Sequence, residues 1–206
     1  MRAALVLALC LLLSALGSCK TNRQAEVAGV WIAQAEGITK APPGEDIAIH
    51  KGTALETLPD GPVVRLAVDR DVLWSQVRDL RKQILAAGKT PYLIVADNRK
   101  IGSIELYDEL EGEPINVYVS VGGKLCVAPP NSPEAKCVQR GDKLHVDRAF
   151  TRELVREAVN AYGLRDVLVD IPADLEWADV VRSVDGARTS FFHDKSAAKV
   201  RVRLKP

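Results

Sequence analysis

The stretch that most clearly indicates the fold is DVLVDIPADLEWADVVRSVDGAR, which occupies residues 166–188. Its first part, Val167–Ile171, is apolar and rich in β-branched residues, as is typical of a strand. Over Leu175–Asp185 the apolar residues recur at helical spacing. Further on, Val200–Leu204 alternates apolar with basic residues, which predicts a half-exposed strand. The end of the chain is therefore predicted to run strand, helix, strand.

The same mixture of short strands and amphipathic helices continues toward the N-terminus. Gly88 and Gly163 each follow a helical stretch, at the position where a left-handed residue ends a helix. The fold class expected is α+β, with mixed sheets that carry helices on one face. Strands are predicted at 47–49, 63–68, 92–95, 117–121 and 124–127, and helices at 72–85 and 150–161.

The two halves of this region match each other at an offset of 78 residues. A repeat of this kind predicts two small related two-layer modules, over 45–112 and 115–206. Each half contains an Asp-Arg pair, which we interpret as a helix cap with a solvent-facing charge, and a repeated binding feature is the alternative. The matched positions are Leu66, Val68, Asp69, Arg70, Val77 and Arg78 in the first half, and Leu144, Val146, Asp147, Arg148, Val155 and Arg156 in the second.

The first residues have the anatomy of an export signal. After one basic residue, an apolar run spans Ala3–Leu13, which is shorter than the roughly 20 apolar residues of a transmembrane helix. The LGSC that follows, residues 16–19, resembles the bacterial lipobox, in which cleavage precedes a cysteine that carries lipid. We predict a lipoprotein signal peptide over 1–18, lipidation of Cys19 and a tether over 19–44, within which Val27–Ala33 is apolar enough to form a short strand or helix. An ordinary secretory signal with a chance cysteine is the alternative.

Composition and the anchor together narrow the partners and the location. The chain has 28 Lys+Arg against 27 Asp+Glu, so it lacks the basic excess of a nucleic-acid-binding protein. Aromatic residues make up only 5%, too few for a stacking platform. Acyl chains on Cys19 would hold the protein to a lipid bilayer. We therefore expect a lipid-anchored, periplasm-facing protein of the bacterial cell envelope, with Lys20 favouring the outer membrane.

Two cysteines, Cys126 and Cys137, lie in the part of the chain expected to be exported. They flank a loop rich in proline and turn-forming residues, and an oxidising compartment favours a disulfide between them. A metal site is the alternative, although no CxxC motif or nearby histidine accompanies the pair. We predict a structural disulfide.

No catalytic or cofactor motif stands out. His50, His145 and His193 lie far apart in the sequence and lack the spacing of a zinc site. There is no GxSxG elbow, and Gly122-Gly123-Lys124 fits a hairpin turn better than a P-loop. We expect no catalytic residues, no metal site and no cofactor. A hydrolase hidden in a common α+β fold is the least favoured alternative.

The order of elements resembles the periplasmic domain of ExbD/TolR-type biopolymer transport proteins. The resemblance covers about 115–206 well and 45–112 more loosely. It implies an α+β fold that dimerises and contacts an energy-transducing partner, and that in TolR-like members binds peptidoglycan. It rests on INVYV at 115–119, the strand before Asp147, RELVR at 152–156, Val167–Asp174 and WADVVRSVDGAR at 177–188.

Members of that family begin with a transmembrane helix whose aspartate couples to proton flow. We expect this chain to lack that helix once the signal is removed, so the motor function is not carried over. The expected function is non-enzymatic binding or an accessory role in biopolymer transport, by a dimer or an internal pseudo-dimer. A peptidoglycan-binding or structural envelope lipoprotein unrelated to transport is the alternative. Arg201, Arg203 and Lys205 are candidate partner-binding residues on the last strand, and a solvated edge is the other interpretation.

Overall fold

A computed structural model describes residues 25–98, 100–107, 109–120, 122–132, 134–139, 145–191 and 199–205. The predicted signal peptide, the lipidation site at Cys19 and His193 lie outside these residues. Within them the chain forms eleven strands and three helices. In chain order these are β1 (Ala25–Val27), β2 (Val30–Ile32), β3 (Asp46–Ile49), β4 (Val63–Val68), α1 (Trp74–Ala86), β5 (Thr90–Asp97), β6 (Lys100–Ile104), β7 (Ile115–Val119), β8 (Lys124–Ala128), β9 (Lys136–Gln139), α2 (Arg148–Tyr162), β10 (Asp166–Asp170), α3 (Trp177–Arg188) and β11 (Arg201–Leu204).

The first sheet has the strand order β3-β4-β5-β6. Strands β3, β4 and β5 are parallel, and β6 returns antiparallel to β5. Helix α1 connects β4 to β5 and packs against one face of the sheet. Its buried side chains have the three- and four-residue spacing that predicted the helix: Trp74, Val77, Leu80 and Ile84.

The other face of this sheet is covered by the β1-β2 hairpin. Ala28 and Gly29 have positive φ angles in its turn. The stretch after β2 then reaches β6, where Thr39 and Ser103 exchange two backbone hydrogen bonds. The tether predicted over 19–44 is thus corrected from Ala25 onward, because alternating apolar residues give the hairpin a face to bury. Its buried side chains are Val27, Val30 and Ile32, which pack with Ala67, Ile94 and Ala96 of the sheet.

The second sheet has the strand order β11-β10-β7-β8-β9. Strands β7, β10 and β11 are parallel, and β8 and β9 are added as antiparallel neighbours. Helices α2 and α3 pack on each other and on this sheet. The predicted α+β class with mixed sheets is confirmed. Strands β6 and β9 escaped prediction because both are short and lack a clear apolar alternation.

Helix α2 begins and ends as its sequence predicts. One carboxylate oxygen of Asp147 accepts hydrogen bonds from the backbone N–H groups of Ala149 and Phe150, at 3.0 and 3.2 Å. At the other end, Gly163 adopts a left-handed φ of 71° and donates its N–H to the Val159 carbonyl oxygen. A local cap and a local stop therefore define this helix.

At the N-termini of α1 and α3, the first backbone N–H groups of each helix instead donate hydrogen bonds to carbonyl oxygens that precede the other helix. Neither helix has a side-chain cap, and Asp69, a predicted cap of α1, accepts the N–H of Arg70. The Trp74 N–H donates to the Leu175 carbonyl at 2.8 Å, and the Trp177 N–H donates to the Val72 carbonyl at 2.7 Å. The pattern is reciprocal, as at a two-fold axis, and it pairs N–H groups that a helix start leaves open. A second reciprocal pair joins Ser75 to Ala173 and Ala178 to Arg70.

The repeat in the structure differs from the match at an offset of 78. Helices α1 and α3 each connect two neighbouring parallel strands, β4 to β5 and β10 to β11, whereas α2 leads from the antiparallel β9 to β10. The unit β4-α1-β5 is therefore equivalent to β10-α3-β11. The sequence carries a signal for this equivalence, because DVLWSQV at 71–77 and DLEWADV at 174–180 share the pattern D-x-x-W-x-x-V.

One hydrophobic core serves both sheets. Its largest cluster of buried apolar side chains includes residues of both sheets and of α1, α2 and α3. Within it the rings of Trp74 and Trp177 stack, with centroids 6.3 Å apart. The stretches 45–112 and 115–206 thus pack against each other. None of the helices in the described ranges has the length and apolar character needed to cross a bilayer.

Candidate functional site

An open cleft of about 430 Å³ lies beside the junction of the two halves. It is formed where the stretch after β2, the turn between β5 and β6, and the first turns of α2 and α3 meet. We call it the junction cleft. Among the described residues, the charged side chains that line it carry both signs: Arg70, Arg148 and Arg182, with Glu36, Asp97 and Asp147.

Arg70 and Arg148, one from each Asp-Arg pair of the sequence, both line the junction cleft. The Arg148 guanidinium lies 2.7 Å from Glu36 Oε1 and 3.3 Å from Asp185 Oδ2, so the protein holds it in place. The Arg70 side chain is exposed and forms no ion pair with any described residue. Arg148 is therefore a structural cation, whereas Arg70 is available to an anionic group of a ligand.

Asp185 ties the stretch after β2 to the two helices of the second half. Its carboxylate is fully buried, and it accepts the backbone N–H groups of Glu36 at 2.8 Å and Gly37 at 2.9 Å. Arg148 is its counter-ion, and these three partners offset the desolvation of the charge. Arg152 also pairs with Glu36. The cleft wall at Glu36 is thus built by long-range polar contacts.

Asp179 is a second buried carboxylate beside the cleft. Its Oδ2 lies 3.2 Å from His145 Nδ1, and its Oδ1 accepts the Val146 N–H at 3.2 Å. Arg182 donates to the same Oδ1, which holds that guanidinium at the cleft. His145 is therefore engaged by a carboxylate. In the described part of the chain, no group of three or more His, Cys, Asp or Glu side chains is arranged to hold a metal ion.

The junction cleft also contains amide groups. Gln34 Nε2 is buried and has no hydrogen-bond partner among the described residues. Asn98 has a φ of 53° in the turn after β5, and its side chain donates to Asp97 Oδ1 at 3.1 Å. No hydroxyl, thiol or imidazole lines the cleft within the described ranges. Gln34 and Glu36 were missed from sequence because they lie in the predicted tether, where the apolar alternation of the β1-β2 hairpin was the available signal.

The candidate partner-binding residues Arg201, Arg203 and Lys205 belong to the last strand and its exit, outside the junction cleft. Arg201 binds Asp166 through Nε at 2.7 Å and Nη2 at 2.8 Å, and it lies 2.5 Å from Glu111. These hydrogen bonds raise the pKa of Arg201. Arg201 is therefore committed within the chain and is not a free cation of an edge strand.

Strand β11 is also a partly occupied edge. The Tyr107 N–H donates to the Val202 carbonyl oxygen at 3.0 Å, which takes one of the groups that an added strand would need. Lys205 Nζ donates to Asp170 Oδ2 at 2.7 Å, and this hydrogen bond raises the pKa of Lys205. Arg203 has no ion pair among the residues that the structure describes. Of the three predicted cations, Arg203 is thus the one left uncompensated.

The predicted disulfide between Cys126 and Cys137 is present. The two residues lie directly opposite each other on β8 and β9. The bond therefore fastens the short strand β9 to the edge of the second sheet, and it leaves no metal-binding thiol at this position.

Comparison with protein-family models, curated protein sequences and solved structures finds no match to this chain. The resemblance to ExbD/TolR-type periplasmic domains stays a prediction from the sequence pattern.

Proposed function

We propose that this protein is a non-enzymatic binding lipoprotein of the bacterial cell envelope, with an accessory role in biopolymer transport or a related energy-transducing system. The observation that carries the proposal is the junction cleft, where charges of both signs meet at the junction of the two halves and Arg148 and Glu36 are fixed by ion pairs. Cys19 would anchor the protein to a membrane, with the described domain facing the periplasm.

The chemistry of the cleft favours binding. Arg70 offers a planar fork of N–H donors that matches a carboxylate, and Asp97 offers an acceptor for an ammonium group. Because described side chains of both signs line the cleft, a ligand with both signs, such as a peptide segment of an envelope protein, is complementary to it. The lining groups bind and orient such a ligand but include no hydroxyl or thiol nucleophile within the described residues.

The internal symmetry supports a pseudo-dimer. ExbD/TolR-type domains, which the sequence resembles, work as dimers. In this chain the reciprocal hydrogen bonds of Trp74 and Trp177 have the pattern of an isologous interface, in which equivalent residues contact each other. One chain would thus present a paired unit without a second copy.

The second candidate is a peptidoglycan-binding lipoprotein unrelated to transport. The stem peptides of peptidoglycan carry both free carboxylate and free ammonium groups. The mixed charge of the junction cleft therefore suits them as well as it suits a protein segment.

Photocrosslinking in cells tests the proposal and separates the two candidates. A photoreactive residue placed at Arg70 should capture an envelope protein, identified by mass spectrometry. The control position is Tyr162, which is exposed and lies at the far end of α2, roughly 20 Å from the cleft by the helix rise.

Binding to isolated sacculi completes the test. Retention of the wild-type chain on sacculi, lost in Arg70→Glu, would identify peptidoglycan as the ligand. The junction cleft is not a binding site if two results are obtained together. The photoreactive residues at positions 70 and 162 capture the same proteins, and sacculi retain the wild-type chain and Arg70→Glu equally.

A further inference from the structure

A second pocket, of about 180 Å³, lies between helix α1 and strand β11. It shares no lining residue with the junction cleft. We call it the basic pocket, because the charged lining residues among those that the structure describes are all cations. They are Arg78, Arg81 and Lys82 of α1, with Arg203 and Lys205 at the end of the chain.

The cations of α1 lie on one face of the helix. Arg81 and Lys82 follow Arg78 by three and four residues, so the side chains are neighbours. Like charges at this spacing destabilise a helix by themselves. The fold brings Arg203 and Lys205 to the same pocket, which adds to the positive charge that an anion would meet there.

The chain compensates only part of this charge. Asp170 pairs with Lys205, but it does not line the pocket. Asp79 Oδ1 lies 3.6 Å from Arg78 Nε, which is beyond hydrogen-bond range. Arg78 Nε is buried and has no hydrogen-bond partner among the described residues. A buried donor without an acceptor is destabilising, so an acceptor from a ligand would be favourable there.

Two other cations of the pocket, unlike Arg78, have no partner of opposite charge among the described residues. Lys82 is exposed and Arg203 is half-buried, and neither forms an ion pair within the described ranges. Tyr107, also at the pocket, directs its hydroxyl toward Glu105 at 3.3 Å. The hydrogen-bonding groups open to a ligand in this pocket are therefore the N–H donors of Arg78, Lys82 and Arg203.

The size of the pocket limits the ligand. Its volume is smaller than the several hundred Å³ of a typical pocket for an organic ligand. Trp74, Leu85 and Leu204 supply apolar wall. A small, multiply charged anion fits this combination of size and donors. Guanidinium forks bind phosphate oxygens in pairs, and an ammonium group adds a point charge.

We propose that the basic pocket binds a phosphate group, presented either by a soluble phosphate ester or by a phospholipid headgroup. The phosphate oxygens accept hydrogen bonds from Arg78 and Arg203, and the exposed Lys82 ammonium adds a further positive charge. The site is distinct from the junction cleft and does not depend on what that cleft binds.

Titration of the full chain in a neutral detergent tests the site. The probes are sodium phosphate and short-chain dihexanoylphosphatidylglycerol, each followed by calorimetry against sodium chloride at equal ionic strength. The variant Arg203→Gln/Lys82→Gln is expected to weaken binding about tenfold or more, since each charged hydrogen bond contributes at least that factor. Arg203→Lys keeps the charge but loses the paired donors of the guanidinium, so it should weaken binding less than the double variant does.

The matched control is Arg156→Gln/Lys124→Gln. It removes the same charge from exposed residues that do not line the pocket. If sodium phosphate binds and only the pocket variant loses affinity for it, the ligand is a soluble phosphate ester. If only the lipid binds, with the same loss of affinity in the pocket variant, the ligand is a phospholipid headgroup. The proposal is overturned if neither probe binds, or if the control variant changes the affinity as much as the pocket variant does. Circular dichroism of every variant confirms that the fold is retained.

Discussion

The indole rings of Trp74 and Trp177 stack nearly parallel, with centroids 6.3 Å apart and planes inclined by 15°. Each tryptophan is the first residue of its helix, and both are buried. The stack lies where α1 and α3 exchange backbone hydrogen bonds. It therefore joins the two sheets into one core, and Ala178 and Arg70, which share a backbone hydrogen bond at this junction, line the junction cleft.

Replacing this contact should weaken the whole domain. Trp177→Ala is expected to lower the free energy of unfolding by about 3–5 kcal/mol, because it leaves a large cavity in the shared core. Urea unfolding followed by circular dichroism measures the change. Trp31→Ala is the matched control, since Trp31 is 44% exposed, and it should cost less than about 1 kcal/mol. Equal small effects at both positions would show that the stack does not hold the halves together.

The buried carboxylate of Asp185 gives a second prediction. Asp185→Asn removes the charge that binds Arg148 and replaces one of the two oxygens that accept the Glu36 and Gly37 N–H groups by an NH2 group, so one backbone donor loses its acceptor. Arg148 is partly exposed and keeps Glu36 as a partner, so the loss of unfolding free energy should be moderate, about 1–3 kcal/mol. Thermal unfolding measures it. Asp71→Asn, at an exposed position, should have no effect, and a stable Asp185→Asn would mean that shape alone positions the wall of the cleft.

Gly186 tests how closely α2 and α3 approach. A Cβ atom at this position would lie 2.7 Å from the Arg148 carbonyl oxygen and 2.7 Å from Thr151 Cβ. Gly→Ala in a helix ordinarily stabilises it by about 1 kcal/mol. Here the clash is with backbone, so Gly186→Ala should instead destabilise the protein by about 1–3 kcal/mol. Asn160→Ala, at an exposed position of α2, is the control and should stabilise the protein slightly. Stabilisation at both positions would contradict the close packing.

The disulfide should contribute measurably to stability. Cys126→Ser/Cys137→Ser opens the loop that the bond closes and is expected to cost about 3 kcal/mol in the chain-entropy model. The midpoint urea concentration should fall by this free energy divided by the m-value of unfolding. Adding a reductant should have no further effect on the variant. A thiol assay on the denatured wild-type chain that detects both cysteines would disprove the bond.

Tyr107 predicts a dependence on alkaline pH. Burial, followed by the neighbouring Glu105 carboxylate, raises the pKa of Tyr107 above its usual 10.0. The folded state therefore favours the protonated phenol, and its contribution to stability is complete below about pH 10 and is lost as the pH rises through the raised pKa. Titration of phenolate absorbance should show a step above pH 10 that Tyr107→Phe removes. A wild-type titration unchanged by that substitution would refute the assignment.

Much of the fold could be predicted from the sequence because it depends on neighbouring residues. The strand at Val167–Ile171, the cap at Asp147 and the stop at Gly163 each follow from a local pattern, and the structure has them within a few residues. The two cysteines paired as predicted because a short loop keeps them close. Strands without alternation, such as β9, could not be found in this way.

The candidate site was harder to predict because its parts are distant in the chain. Glu36 and Asp185 meet across most of the sequence, and no local period connects them. The two Asp-Arg pairs share a sequence pattern but not a role, since Asp147 caps α2 whereas Asp69 does not cap α1. Arg148 is held by carboxylates, and Arg70 is open to a ligand. The sequence match at an offset of 78 residues pairs α1 with α2, because both helices have similar apolar spacing.

The sequence by itself determined the local elements, the cysteine pair and the kinds of charge that the surface would carry. Only the tertiary structure decided that α1 corresponds to α3, that their N-termini satisfy each other, and that Trp74 meets Trp177. The reason is physical. Helix and strand preferences act between residues a few positions apart, whereas strand pairing, shared burial and buried ion pairs depend on which distant segments the folded chain brings into contact.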